Sequence, residues 1–481
     1  MTRRITIGPI NRVEGDLELH LEIDGGHVRR AEVRAPIYRG FEQILEGRSP
    51  WDALALVPRI CGICSVSQSI AAATMLRQAA GCEIAPNGLL ATNIAHAAEN
   101  AADHLTHFYL FFMPDFARAC YQREAWHGRC VARFAATKGS AAAEMLPARA
   151  RLIEIMGIVA GKWPHSIAFQ PGGTTRALDL GDHMRLVGIA TGFRAFLEGV
   201  VFADQLENVL ALSSEAELWR WRERRRGGDF ARFLEISDAL SLEKLGRGPG
   251  LLMSYGACHG RDSDLFAPGI RNRDGAIETL EGAAITEDVS HSWLRDSSGD
   301  PALASTVPDP DKPKAYSWCK APRYAGQAAE VGAVARQAIA GHGLIRALVA
   351  AGGTNVRNRV IARIIETAAL AVAIEQWVSA LVPAEPFCLA CGEIADGSHV
   401  GLVEAARGGL GHWMAVKSGR IERYQIIAPT TWNFSPRDRL DVAGPLEQAL
   451  EGTDVGVSGA SSVAVQHVLR SFDPCMMCTT H

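Results

Sequence analysis

The feature that most constrains this chain is a pair of C-x-x-C motifs placed near its two ends. Arg59-Ile60-Cys61-Gly62-Ile63-Cys64 carries the first, and Asp473-Pro474-Cys475-Met476-Met477-Cys478-Thr479-Thr480-His481 carries the second and closes the sequence. At this spacing, on a turn or a helix start, two thiolates can point at one metal. Four sulfurs brought together make a soft site, suited to zinc, nickel or an iron–sulfur cluster and unsuited to magnesium or calcium. The pairs lie more than 400 positions apart, whereas the ligands of a zinc ribbon or finger sit within a short stretch of chain. A site closed across such a distance forms only when the whole chain has folded. That points to an enzyme-type centre built inside a large core.

Composition narrows the classes. Apolar residues make up 48% of the 481 and charged residues 21%, ample for a large core. A formal net charge of −4 argues against a nucleic-acid surface. Eleven cysteines, an odd number without disulfide-framework spacing, suggest a reducing compartment with thiols buried or metal-bound, hence a cytoplasmic location. Met1–Ile7 has two arginines but no apolar stretch or small-residue cleavage site after it, so no signal peptide is expected. No window reaches the roughly 18 uninterrupted apolar residues of a membrane span.

Along the chain the expected class is mainly α with small β-sheets (α+β), one domain over 1–481. Alternation over about 4–35, with Asp24-Gly25-Gly26 as a turn between Leu17–Ile23 and Val28–Val33, predicts a small N-terminal sheet. A helical core follows over about 50–213; its run from Asn87 to Phe112 is stopped by Pro114. Residues of about 245–325 read as strands and loops. Helices return over about 326–345 and 357–380, a hairpin around Lys417-Ser418-Gly419 spans His399–Ile427, and the last helices fall near 443–451 and 460–470.

With these motifs in place, the sequence resembles the large subunit of NiFe hydrogenases. Arg59–Cys64 matches that family's R-x-C-G-x-C, and Asp473–His481 matches its D-P-C-x-x-C-x-x-H. Between them, in the right order, lie Arg12-Val13-Glu14-Gly15, Arg39-Gly40-Phe41-Glu42, Asp103-His104-Leu105 with His107-Phe108-Tyr109, Arg407-Gly408 with Gly411-His412-Trp413, and Pro429-Thr430-Thr431-Trp432-Asn433. The resemblance implies that family's fold: a long central helix bundle with both termini meeting at the metal site.

It also implies roles. Cys61, Cys64, Cys475 and Cys478 would ligate nickel, with Cys64 and Cys478 bridging to an iron that carries CO and two cyanide ligands. Glu14 would be the first proton relay, a carboxylate whose pKa burial can raise. Arg407 would sit over the open coordination position, oriented by Asp103 and Asp473, and Thr430 would hydrogen-bond a cyanide. Glu42 and His481 would hold a second, hard cation, typically magnesium. H2 would be split heterolytically. Electrons would leave to a partner, an iron–sulfur small subunit, because the chain offers no further cluster-binding cysteine set. Taken singly, several of these residues have plain readings: Glu14 as a surface carboxylate, Asp103 as a polar position on a long helix, Arg407 as a loop arginine pairing with Glu404. Their joint order decides against those readings.

Cys388-Leu389-Ala390-Cys391 has metal spacing but matches no family motif, and is expected to be a pair of buried thiols. The same is expected of Cys82, Cys120, Cys130, Cys258 and Cys319. Trp163-Pro164-His165 resembles a family loop that has His where Trp163 stands, and receives no chemistry. The sequence departs from the usual enzyme in other places too. Gln68 stands where His is usual, on the side of the partner's cluster, and Gln cannot titrate. Ile63 replaces Val and Phe111 replaces Leu, which would narrow the gas route to nickel. The sequence ends at His481, where most precursors of the family carry a removable tail. Together these departures resemble the H2-sensing, or regulatory, subgroup, which reports H2 to a histidine kinase. The alternatives are a cytoplasmic uptake hydrogenase and, further off, a zinc-binding structural relative.

Overall fold

The computed structural model describes residues 3–260, 264–456 and 462–481. Three antiparallel strands, β1 (Arg3–Ile7), β2 (Glu18–Asp24) and β3 (His27–Arg34), form the expected N-terminal sheet in the order β1-β2-β3. Alternation sends Leu19, Leu21, Ile23, Val28, Ala31 and Val33 inward. The β2–β3 turn needs two residues at positive φ, and Gly25 and Gly26 supply them at 58° and 83°.

The helical centre is built from α1 (Ser65–Ala80), α2 (Pro86–Thr106), α3 (Ser140–Ala160), α4 (Leu180–Phe196) and α5 (Val356–Ala380). α2 is buried along almost its whole length, and its inward residues are mostly small: Ala91, Ala95, Ala98, Ala101 and Ala102. Small side chains let α5 approach with its branched residues Val360, Ile361, Ile364 and Ile365. A helix buried on all faces belongs at the middle of a bundle, and α2 lies there, with Asn93, His96, Glu99, Asn100, Asp103 and His104 buried beside its small residues. Its regular turns end at Thr106, earlier than the sequence suggests. The chain then widens into a π-helical turn, His107–Phe112, and tightens into a 3₁₀ turn, Met113–Ala117, that contains Pro114. The expected helix over 326–345 is two, Ala333–Ala340 and Gly343–Gly352, because Gly341 adopts φ 105° between them.

The hairpin expected over 399–427 is a three-stranded sheet: β4 (Gly397–Ala405), β5 (Gly408–Lys417) and β6 (Arg420–Ile427), order β4-β5-β6. The tight Ala406–Arg407 connection was missed because β5 is buried from Gly408 to Val416 and shows no polar alternation. α1 packs on this sheet so closely that a Cβ on Gly401 would lie 2.1 Å from the Ala71 carbonyl oxygen.

Two cysteine expectations are overturned here. Cys391 is disulfide-bonded to Cys82, tying the end of α1 to the segment before β4, and Cys388 is exposed. From the sequence, Cys391 and Cys82 are both expected to be buried thiols; a bond between residues 309 positions apart leaves no mark in local spacing. Cys120 is exposed as well, while Cys130, Cys258 and Cys319 are buried as expected. Among the described residues no helix is long and apolar enough to cross a membrane.

Candidate metal centre

The two chain ends meet as neighbours. Glu14 pairs in parallel with Cys475: its amide donates to the Pro474 carbonyl at 3.4 Å, and the Met476 amide donates to the Glu14 carbonyl at 2.8 Å. Gly15, at φ 82°, permits the contact, since a Cβ there would press within 3.1 Å of Met476 Cβ. Cys64 caps the N-terminus of α1, and Cys475 caps the short helix Met476–Thr479. Arg39 bridges the two cysteine loops by donating to the Ile60 carbonyl at 2.7 Å and to that of Met477.

All four sulfurs are buried together. Cys61 Sγ lies 3.4 Å from Cys475 Sγ, Cys64 Sγ 3.0 Å from Cys478 Sγ, and Cys475 Sγ 3.3 Å from Cys478 Sγ. Hydrogen bonds from Cys475, Cys478 and Cys64 hold the Cys61 thiol well below the ordinary range. Those to Cys475, Cys61 and Cys64, with burial, push Cys478 well above it. Four thiolates this close repel one another until a cation joins them, so the set fits a thiophilic metal.

Above the sulfurs, Arg407 is buried at the β4–β5 connection. Its NH1 lies 3.0 Å from Asp103 Oδ2, its NH2 3.3 Å from Asp473 Oδ1, and its Nε donates to the Asp473 carbonyl at 2.8 Å. Glu404 is not its partner; that carboxylate pairs with Arg336 at 2.9 Å. One guanidinium between two buried carboxylates leaves a surplus negative charge. Burial pushes Asp103 up to about 7 despite Arg407, whereas at Asp473 the opposing burial is outweighed by Arg407, His107, Arg363 and His104 together, and its carboxyl is lowered. Asp103→Ala would strip the buried Arg407 NH1 of its carboxylate partner and destabilise the fold by about 1–3 kcal/mol. Urea unfolding would show this as a lowered midpoint; an unchanged midpoint would make Asp103 dispensable to the triad.

Glu14 is half-buried, and its carboxyl is raised by burial and by the Cys61 charge, with Arg407 pulling the other way. Thr430 Oγ1 accepts the Cys475 amide at 3.1 Å, so its oxygen lies against the cysteine loop. Ile63 packs against the core cluster that contains all four cysteines. Phe111 is half-buried on the π turn, its carbonyl taken by Arg12, while its neighbour Phe112 fills the core. Gln68 lies inside the chain and not on its surface. Its amide oxygen accepts from His412 Nε2 at 2.9 Å, and His412 Nδ1 accepts from the Tyr424 hydroxyl at 2.8 Å.

A second, hard-donor cluster lies behind Cys478. His481 Nε2 is 3.3 Å from Glu42 Oε1 and 2.8 Å from the Ile426 carbonyl oxygen. Lys320 Nζ lies 2.9 Å from Glu42 and 3.5 Å from Glu287, whose carboxylate oxygens are buried without a hydrogen-bond partner. One ammonium against two carboxylates leaves a negative charge that a cation would balance, and the oxygen donors there are the kind a hard metal takes.

Sequence reasoning missed the supports. Asp115 is fully buried and pairs with Arg12, with Arg118 at 2.7 Å and with Arg470 at 2.7 Å. Arg470 also donates to Asn11 Oδ1 at 2.7 Å. Asp115 therefore clamps the segment before Glu14 to the segment before Cys475. Arg363 holds the Ser471 and Phe472 carbonyls at 2.5 and 2.9 Å. No short motif marks Asp115, Arg363, Arg470, Lys320 or Glu287.

A helix bundle that closes four thiolates from both chain ends under a buried Arg–Asp pair, with a hard-cation cluster behind, defines a redox metalloenzyme core. The profile of the nickel-dependent hydrogenases matches residues 39–128 and 140–481, and the chain belongs to that family as a large subunit. Its chemistry is oxidoreduction of H2. It is 29% identical to the periplasmic [NiFeSe] hydrogenase large subunit of Desulfomicrobium baculatum over 99% of this chain and 95% of that one. It is 27% identical to the hydrogenase-2 large chain of Escherichia coli over 100% and 97%, and 28% identical to the uptake hydrogenase large subunit of Azotobacter chroococcum over 100% and 95%. The fold superposes on the Ni-Fe-Se hydrogenase of Desulfovibrio vulgaris Hildenborough with a TM-score of 0.85 at 27% identity, covering all of both chains.

Proposed function

We propose that this chain holds nickel and an iron with CO and two cyanide ligands, and oxidises H2 as the large subunit of an uptake-type hydrogenase. The observation that carries the reading is the closure of four buried thiolates beneath Arg407, Asp103 and Asp473. Full-length similarity to proteins named as uptake hydrogenase and hydrogenase-2 large chains supports the uptake role over a sensing one. Cys61 and Cys475 would be terminal ligands, and Cys64 and Cys478 bridging ones. When bound, the two metals supply the polarisation and electron acceptance that split H2. The chain's own groups do the rest. Glu14 would take up a proton from the neighbouring thiolates, Arg407 would hold a fixed positive charge beside them, and the Thr430 hydroxyl would be available to donate to a ligand of the iron. Glu42, His481 and the Ile426 carbonyl would hold magnesium. Electrons leave through an iron–sulfur small subunit, because the remaining cysteines are scattered or disulfide-bonded.

A second reading, H2 sensing coupled to a histidine kinase, is favoured by Ile63, which presses on the cysteine cluster with a larger side chain than the usual Val, and by the untitratable Gln68. H2-dependent dye reduction by the purified heterodimer separates the two. Fast turnover that air stops establishes the uptake reading. Slow turnover that survives air establishes the sensor. In the sensor case the double variant Ile63→Val, Phe111→Leu would become oxygen-sensitive, and tolerance that survives the double change would show that side-chain size on the gas route is not its cause.

A further inference from the structure

The first turn of α1 is anchored in a way that neither the metal ligands nor the proton relay requires. Cys64 caps the helix, so the amides just beyond it have no partners inside it. Those of Val66 and Ser67 donate to Glu99 Oε1 and Oε2, both at 2.9 Å. The Ser67 hydroxyl adds a bond to Oε2 at 3.0 Å, and the Trp163 indole N–H adds one to Oε1 at 3.1 Å. Glu99 comes from the middle of α2 and is 2% exposed. Its recorded partners are neutral donors at the positive end of a 16-residue helix, an arrangement that holds an anion.

The chemistry at this position is restrictive. Each oxygen receives a backbone N–H, which can only donate. A glutamine would have to turn its NH2 toward one of them, and a protonated acid would do the same with its O–H. Burial raises the Glu99 carboxyl to about 7 against the downward pull of the bonds from Val66, Ser67 and Trp163, and it is the four donors aimed at its two oxygens that match the anion. Trp163 is braced in turn: the Arg149 guanidinium lies 5.7 Å from its ring centroid. The next two residues support the other cysteine of the pair. Pro164 faces Gly62, where a Cβ would lie 3.6 Å from Pro164 Cγ, and His165 Nδ1 donates to the Pro58 carbonyl at 2.8 Å.

We propose that Glu99, with Trp163 as its indole donor, is a positioning residue for Cys64: it pins the first turn of α1 and fixes a negative charge behind that thiolate. The inference rests on the nickel–iron reading given above.

The test uses the heterodimer purified anaerobically as wild type, Glu99→Gln and Trp163→Phe, with nickel and iron content and the infrared spectrum measured on each. Glu99→Gln should shift the CO band to higher wavenumber, because less negative charge behind the thiolate leaves the iron less electron density to donate into CO. Trp163→Phe frees the carboxylate of one donor and should shift the band slightly the other way. Metal-loaded Glu99→Gln with the wild-type band position overturns the proposal. If Glu99→Gln fails to load metal, Trp163→Phe decides: a shifted band supports the proposal and an unshifted one overturns it. Wild-type protein without nickel, iron or CO bands sinks the nickel–iron reading instead.

Discussion

Replacing Cys478 with alanine should leave a folded protein that retains neither nickel nor iron in stoichiometric amount and has no measurable H2-dependent activity. Its sulfur lies 3.0 Å from Cys64 Sγ and 3.3 Å from Cys475 Sγ, where a bridging ligand must reach both partners. Loss of an outer hydrogen-bond partner at a metal site already costs about 10–100-fold in affinity, and loss of a ligand exceeds that. Cys478 is also one of the partners that hold the Cys61 thiol low, so its loss weakens a second ligand. Metal analysis beside circular dichroism checks the expectation. A folded variant with full nickel and iron would remove Cys478 from the bridge.

Glu14→Gln should keep both metals and slow H2/D2 exchange by about 10²–10⁴-fold, the usual worth of a positioned proton carrier. The change is nearly isosteric, and the Glu14 backbone is locked between Pro474 and Met476, so the amide would occupy the carboxylate's place. An amide cannot accept and release a proton at neutral pH. Burial, the Cys61 charge and Arg407 already act on this carboxyl, which marks it as electrostatically tied to the sulfurs. Exchange at the wild-type rate in a metal-replete variant would take Glu14 out of the relay.

Much of this was legible in the sequence because it depends on residue type and short spacing. The two terminal C-x-x-C pairs mark a soft donor set by residue type, once the fold brings them together. Gly25 and Gly26 between alternating runs specify the β2–β3 turn, since only residues tolerant of positive φ fit there. The run of small and apolar residues in α2 marks it as a central helix.

What only the tertiary structure decided are the partners of buried charged and reactive groups. Arg407 has Glu404 three positions away, yet its carboxylates come from Asp103 and Asp473. Cys391 has Cys388 three positions away, yet its sulfur bonds to Cys82. Asp115 and Glu99, on or just beyond a helix where polar positions usually face water, are sealed inside and hold the two cysteine loops in place. The physical reason is common to all of them. Local pattern reports the periodicity that buries a face, but a buried charge is satisfied by whichever opposite group the packed chain brings within about 3 Å. That choice is made across hundreds of residues, where spacing along the chain carries no information.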